Sequence, residues 1–131
     1  MDSLNKRINF LNEVISRLEL KEIFTVHARV EEFAKNKKYR ENFDIVTARA
    51  VANLTVLSEY VLPLAKINGK CLCMKGNNIE EEYRESKKAI EILGGEISDI
   101  DEFYLPDSDI KRCIITLNKI NATPQKYPRK P

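Results

Sequence analysis

The sequence predicts one α/β domain, with a mostly parallel sheet, helices on both faces and a closing antiparallel pair of strands. Two observations carry this and a third bounds it. Stretches with apolar residues at helical spacing alternate with short runs rich in β-branched residues, the pattern of strand–helix units. The last two such runs, residues 97–105 and 112–120, are separated only by residues 106–111, which permits an antiparallel neighbour and excludes a crossover helix. The four glycines are Gly69, Gly76, Gly94 and Gly95. None follows a strand near the N-terminus, where a dinucleotide-binding fold places its glycine-rich turn.

Taken in order, Ser3 is placed to cap a helix with apolar residues Leu4, Ile8, Leu11, Ile15 and Leu18, and such a helix covers a core with one face. Residues 23–28 are apolar and partly β-branched and read as a buried strand. A short helix over 30–35 and a polar loop over 36–42 lead to a strand at 43–49. Leu54, Leu57, Val61 and Leu64 mark the next helix, which Pro63 bends or ends. Asn68-Gly69 reads as a turn into a strand over 70–75. Ile79, Tyr83, Ile90 and Leu93 form the inner face of a helix whose Glu80, Glu81 and Glu82 read as a solvated face, and Gly94-Gly95 stops it.

At 131 residues the chain is long enough to bury a single core. No run reaches the roughly 18 apolar residues of a membrane span, and no basic-then-apolar leader pattern opens the sequence. Cys71 and Cys73 are two apart, which on a strand puts both on one face. With Cys113 and a single histidine, His27, they read as buried thiols of a reducing, cytoplasmic compartment rather than as a metal site. Net charge is only +2, but no acidic residue follows Asp109, whereas Lys111, Arg112, Lys119, Lys126, Arg129 and Lys130 do. A basic, proline-bearing end of this kind suits a polyanion.

Ligands of open α/β sheets bind at the carboxyl ends of the strands. Those ends are here Asp2-Ser3, residues 27–31, residues 47–50 and residues 75–77. A carboxylate just before a helix, such as Asp2, suits a pair of ribose hydroxyls. Backbone near Val30-Glu31 suits an adenine edge and Arg49 suits a carboxylate; together these needs describe S-adenosylmethionine. Each residue also has a plainer reading. Asp2 and Ser3 serve equally as an exposed helix cap, Glu31 as a first-turn acid favoured by the helix dipole, and His27 as a packed side chain. Arg49, ending an apolar strand, reads as a ligand or ion-pair group, and Lys75 as either an RNA contact or a strand end.

Several segments together resemble one family. They are Asp2-Ser3-Leu4-Asn5-Lys6-Arg7, Val26-His27-Ala28-Arg29-Val30-Glu31, the run from Phe43 through Thr47-Ala48-Arg49-Ala50-Val51-Ala52, Lys75-Gly76, and Thr123-Pro124-Gln125-Lys126-Tyr127-Pro128-Arg129-Lys130. The family is the bacterial small-subunit (16S) ribosomal RNA guanine-N7 methyltransferase, also called glucose-inhibited division protein B. The resemblance implies a class I S-adenosylmethionine-dependent methyltransferase: a Rossmann-like sheet whose last strand is antiparallel. It implies cofactor contacts at Asp2, Ser3, Leu4, Val30, Glu31 and Arg49, and RNA contacts at Lys75, Lys126, Arg129 and Lys130. The implied partner is 16S rRNA or the small ribosomal subunit, for a cytoplasmic monomer without metal or membrane attachment. Guanine N7 carries a free lone pair, so its methylation needs no general base, and the implied catalysis is positioning and charge placement.

This sequence departs from the family pattern in three respects. Val30 stands where the family usually has alanine. The family's N-terminal helices, first strand and glycine-rich loop have no counterpart, and the tail stops at Pro131, before a glycine that commonly follows. The expectation is an N-terminally incomplete fold, with a partial methyltransferase domain over 1–120 and a basic tail over 121–131, poorly stable alone and weak in cofactor binding. The competing expectation is a catalytically inactive fragment or an RNA-contacting module of that family.

Overall fold

A computed structural model describes residues 1–49, 52–76 and 79–129. Its elements are α1 (Asn5–Arg17), α2 (Val30–Phe33), β1 (Phe43–Arg49), α3 (Leu54–Val61), a 3-10 turn (Leu62–Leu64), β2 (Ala65–Lys75), α4 (Glu80–Ile92), β3 (Gly95–Tyr104) and β4 (Lys111–Lys119). The strands form one sheet in the order β1-β2-β4-β3. β1 runs parallel to β2, while β4 is antiparallel to both β2 and β3.

Register decides which side chains share a face. Val46 pairs with Cys71, which pairs with Leu117; Ala48 pairs with Cys73, which pairs with Ile115. That face is packed under Leu54, Leu57 and Val61 of α3, Leu62 and Leu64 of the 3-10 turn, and Ile90 and Leu93 of α4. Burial of a leucine of this kind contributes about 1.5–3 kcal/mol. Cys71, Cys73 and Cys113 are buried free thiols, as expected. Burial pushes the Cys71 and Cys73 thiols up to about 12. On the opposite face of the sheet Ile45 is 61% exposed and Met74 37%.

Several expectations need correction. The described sheet is mixed rather than mostly parallel, because residues 23–28 do not form a strand. Only His27 bridges to Asp2, through two backbone bonds, Asp2 N–H to Val26 O (3.1 Å) and Ala28 N–H to Asp2 O (3.2 Å). Without a ladder the segment has no sheet to bury its side chains against, and Phe24 is 86% exposed. Likewise α1 buries only Ile8 of its apolar stripe, leaving Leu4, Leu11 and Leu18 exposed. Asn68-Gly69 lies inside β2, where an irregularity in the pairing with β1 falls between Phe43 and Ile45. Asn68 has a positive φ there, so the turn signal marks a bulge.

The C-terminal segment is fastened to the domain. Lys119, fully buried at the end of β4, donates to Leu62 O and Thr123 Oγ1 (both 2.6 Å) and pairs with Glu41 Oε1 at 3.0 Å. Thr123 N–H donates to the same Glu41 oxygen (2.7 Å), and Thr123 Oγ1 donates to Leu93 O. Arg40 donates from Nη1 to Ala34 O and Tyr127 O, and from Nη2 to Thr123 O and Pro124 O. Arg129 chelates Glu59 of α3 through its side chain and its backbone N–H.

Candidate cofactor site

The bridge at His27 sets Asp2 beside the segment that leads into α2. Asp2 Oδ1 accepts the Leu4 N–H at 2.8 Å, and Oδ2 accepts from Arg7 at 3.3 Å. The Leu4 N–H, with help from Arg7 and against partial burial, holds the Asp2 carboxyl below its ordinary value, so it is a carboxylate at neutral pH. The helix start thus differs from expectation: Leu4 is the cap residue, no side chain caps it there, and Asp2 rather than Ser3 satisfies a nearby N–H. His27 Nε2 lies 3.0 Å from Ser3 O, and the ring is exposed rather than packed.

Val30 and Glu31 open α2, and Glu31 Oε1 accepts the Tyr60 hydroxyl at 3.3 Å. Burial, and then the nearby Glu31 charge, raise the Tyr60 pKa, so the phenol stays a donor across the physiological range. Arg49, expected to meet a ligand or an ion-pair partner, ends β1, is exposed, and is in no ion pair among the described residues. Asp2, Ser3, Leu4, Val30, Glu31 and Arg49, six residues from three distant parts of the chain, line a single open cavity of about 800 Å³. Its apolar wall is Val46, Leu57, Val61 and Leu64. That volume lies in the range of small-molecule sites, roughly 300–1,000 Å³. No glycine lines it among the described residues, so it has no glycine-rich cradle for a dinucleotide's phosphates.

Two polar lining residues, Arg7 and Tyr60, carry no site signal of their own in the sequence. Tyr60 stands three positions after Leu57 on α3, a spacing that placed it near the core but not at a site. Arg7, in the first turn of α1, belongs to a segment that carries the family resemblance but is assigned no role of its own.

The expected RNA contacts divide. Lys75 is only 12% exposed at its side chain; its ammonium pairs with Glu82 at 2.7 Å and donates to Ala52 O. Glu82 in turn accepts the Leu54 N–H (2.9 Å), so this acid is no solvated face but a tie between α4, the start of α3 and the end of β2. Arg129 is engaged with Glu59. Lys126 is exposed, its ammonium 5.2 Å from the Tyr127 ring centre, and Lys130 lies outside the described residues. Among the described residues no helix is long and apolar enough to cross a membrane.

The α/β architecture with its mixed sheet belongs to a class, the class I S-adenosylmethionine-dependent methyltransferase fold, as the solved structures it matches show. A rRNA methylase from Streptococcus thermophilus superposes with a TM-score of 0.63 at 13% identity, covering 92% of this chain and 71% of that one. TYW2 from M. jannaschii, solved in complex with AdoMet, gives 0.60 at 14% identity, covering 86% and 53%. Within that class, the family model described as rRNA small subunit methyltransferase G matches residues 1–113. Proteins named ribosomal RNA small subunit methyltransferase G are 60% identical over 130 residues in Acetivibrio thermocellus and 51% identical over 131 residues in a Geobacillus species. The chain belongs to the rRNA small subunit methyltransferase G family. It covers 99% and 100% of its own length in those matches but 53% and 55% of theirs, so it spans about half the length of the curated relatives it matches.

Proposed function

We propose that this chain binds S-adenosylmethionine in the cavity between α1, α2 and β1 and serves methyl transfer to guanine N7 of 16S rRNA. The observation that carries the reading is the convergence of Asp2, Ser3, Leu4, Val30, Glu31 and Arg49 on that cavity. The donor set fits the cofactor. The Asp2 carboxylate suits the ribose hydroxyls, the α2 start suits the adenine edge, and exposed Arg49 suits the carboxylate of the methionine moiety. When bound, S-adenosylmethionine supplies an electrophilic methyl group. The chain's own share is to fix orientation: Arg7 and the Leu4 N–H hold Asp2, and Tyr60 holds Glu31. N7 needs no proton removed, and the reading accordingly assigns no general base.

The same reading gives residues 1–120 the role of methyltransferase portion and 121–131 that of a basic segment facing RNA, in a cytoplasmic monomer acting on 16S rRNA or the small subunit. Lys126 and Lys130 are its cationic contacts. Lys75 and Arg129 are held in ion pairs with Glu82 and Glu59. Titration calorimetry with S-adenosylhomocysteine tests the cofactor site. Measurable binding is expected, weakened at least tenfold in both Asp2→Ala and Arg49→Ala; a folded chain that releases no heat, or variants that bind as the parent does, would refute it.

A further inference from the structure

A cluster of exposed cations free of ion pairs lies near the amino end of β1, the end of the strand away from Arg49. Between Lys35 and Arg40 there are four basic residues, Lys35, Lys37, Lys38 and Arg40, and no acid. Lys35, Lys37, Lys38 and Lys126 are exposed, and none of the four takes part in an ion pair among the described residues. The two segments are 86 residues apart at their nearest cations in sequence, Arg40 and Lys126, yet one guanidinium joins them. Arg40 Nη1 reaches Ala34 O at 3.2 Å and Tyr127 O at 2.9 Å, while Nη2 reaches Thr123 O at 2.8 Å. Glu32, three residues before Lys35, is exposed and in no ion pair among the described residues, whereas two other nearby acids are taken up. Glu41 is held by Lys119 and Thr123, and Glu59 by Arg129.

Each outer lysine also has a ring beside it. Lys38 Nζ lies 5.4 Å from the Tyr39 ring centre and Lys126 Nζ 5.2 Å from that of Tyr127. Tyr39 stacks on Phe33 with ring centres 4.1 Å apart, which limits how far its lysine neighbour's base can move. At the opposite edge of the sheet, β3 exposes Glu96, Asp99, Asp101 and Glu102. A polyanion is therefore attracted to one side of the molecule and repelled from the other, although the net charge is only +2.

We propose that residues 35–38 and the segment around Lys126 form one docking surface for an RNA phosphate backbone, with Arg40 as the strut that joins its halves. The inference rests on the reading of the chain as an rRNA enzyme and adds where the substrate is held. The surface adjoins Phe43, at the amino end of β1, whereas Arg49 stands at the carboxyl end. A seven-residue strand separates the two ends by about 20 Å. An RNA that engages both is thus an extended or folded segment, not a single nucleotide, and its backbone is gripped at a distance from the methylated base.

The test is binding of a fluorescent small-subunit rRNA transcript to the full chain, measured by anisotropy across a salt series. Each phosphate contact contributes roughly 0.7–0.9 to the slope of log affinity against log salt. The triple variant Lys37→Gln, Lys38→Gln, Lys126→Gln should lose about 2–3 from that slope. A control pair on α4, Lys87→Gln with Lys88→Gln, should leave it unchanged, and thermal melts verify that both variants fold. Equal losses in the two variants, an unchanged slope in the triple, or no RNA binding by the parent would overturn the proposal. So would a polyglutamate chain that displaces RNA at equal charge, which would mark an acidic protein as the partner. Cofactor titration separates this from the functional reading: RNA binding that depends on the patch without S-adenosylhomocysteine binding keeps the surface and discards methyl transfer.

Discussion

Lys119 has no solvent exposure, and its charge is tolerated because Glu41, Leu62 O and Thr123 surround the ammonium with acceptors. Burial still lowers the Lys119 pKa against the pull of Glu41. For Glu41, burial works to raise the pKa, but the Thr123 N–H and Lys119 together outweigh it and the net shift is downward. Glu41→Gln strands a buried cation, and a loss of about 3 kcal/mol in urea unfolding is expected at pH 7. Adding Lys119→Met to that variant should recover part of the loss, since an apolar side chain needs no partner. The pH dependence follows from the two directions. A carboxyl with a depressed folded pKa stabilises above its ordinary value of 4.5, so the parent should lose stability as pH falls from there through the lower folded value. A lysine with a depressed folded pKa has the opposite consequence: the deficit of Glu41→Gln should shrink as pH rises toward 10.5. Urea midpoints measured across pH would show both limbs.

At the scale of elements, boundaries depend on contacts that a local pattern does not record. Asn53 caps α3 by accepting the Val56 N–H, but the Leu54 N–H is satisfied by Glu82, 28 residues away. In sequence Glu82 is one of three adjacent glutamates and nothing distinguishes it. Glu82→Gln should cost about 1–3 kcal/mol, with faster amide exchange over residues 52–56 as its local sign. Gly94 illustrates the reverse, a residue whose signal was legible. It was expected to stop a helix, and it follows α4 with φ +83°. Its carbonyl accepts the N–H groups of Ile120 and Asn121, and a Cβ there would fall 2.1 Å from Asn121 O. Gly94→Ala should destabilise by more than about 2 kcal/mol in chemical denaturation, through both strain and collision.

For the whole molecule, the sequence announced the reversal at the end of the sheet because a six-residue connection leaves no other geometry. It also announced the helices that pack on the buried face, where Leu54, Leu57, Ile90 and Leu93 keep helical spacing. Residues 23–28 and α1 depart from their sequence pattern for a common reason. Their apolar residues carry the pattern of burial, but pattern does not say whether a partner surface lies opposite, and here Phe10, Leu18 and Phe24 stay exposed. The cavity was legible from residue types at strand ends, whereas the ties that fasten the tail were not. Thr123 to Glu41 and Arg129 to Glu59 span 82 and 70 residues and leave no local trace. Native-state hydrogen exchange should rank these parts, with α1 amides exchanging well before those of β2 and β4.

The sheet also carries its own clock. Two thiols sit on β2 and one on β4, and those of Cys71 and Cys73 ionise only near pH 12. An alkylating reagent needs a thiolate it can reach, and the buried face of the sheet offers neither condition. Labelling therefore waits for the centre of the domain to come apart, and its rate reports how often that happens. Without any introduced cysteine, mass spectrometry of the native chain can time the opening of its core, and a ligand that binds the folded state would slow it.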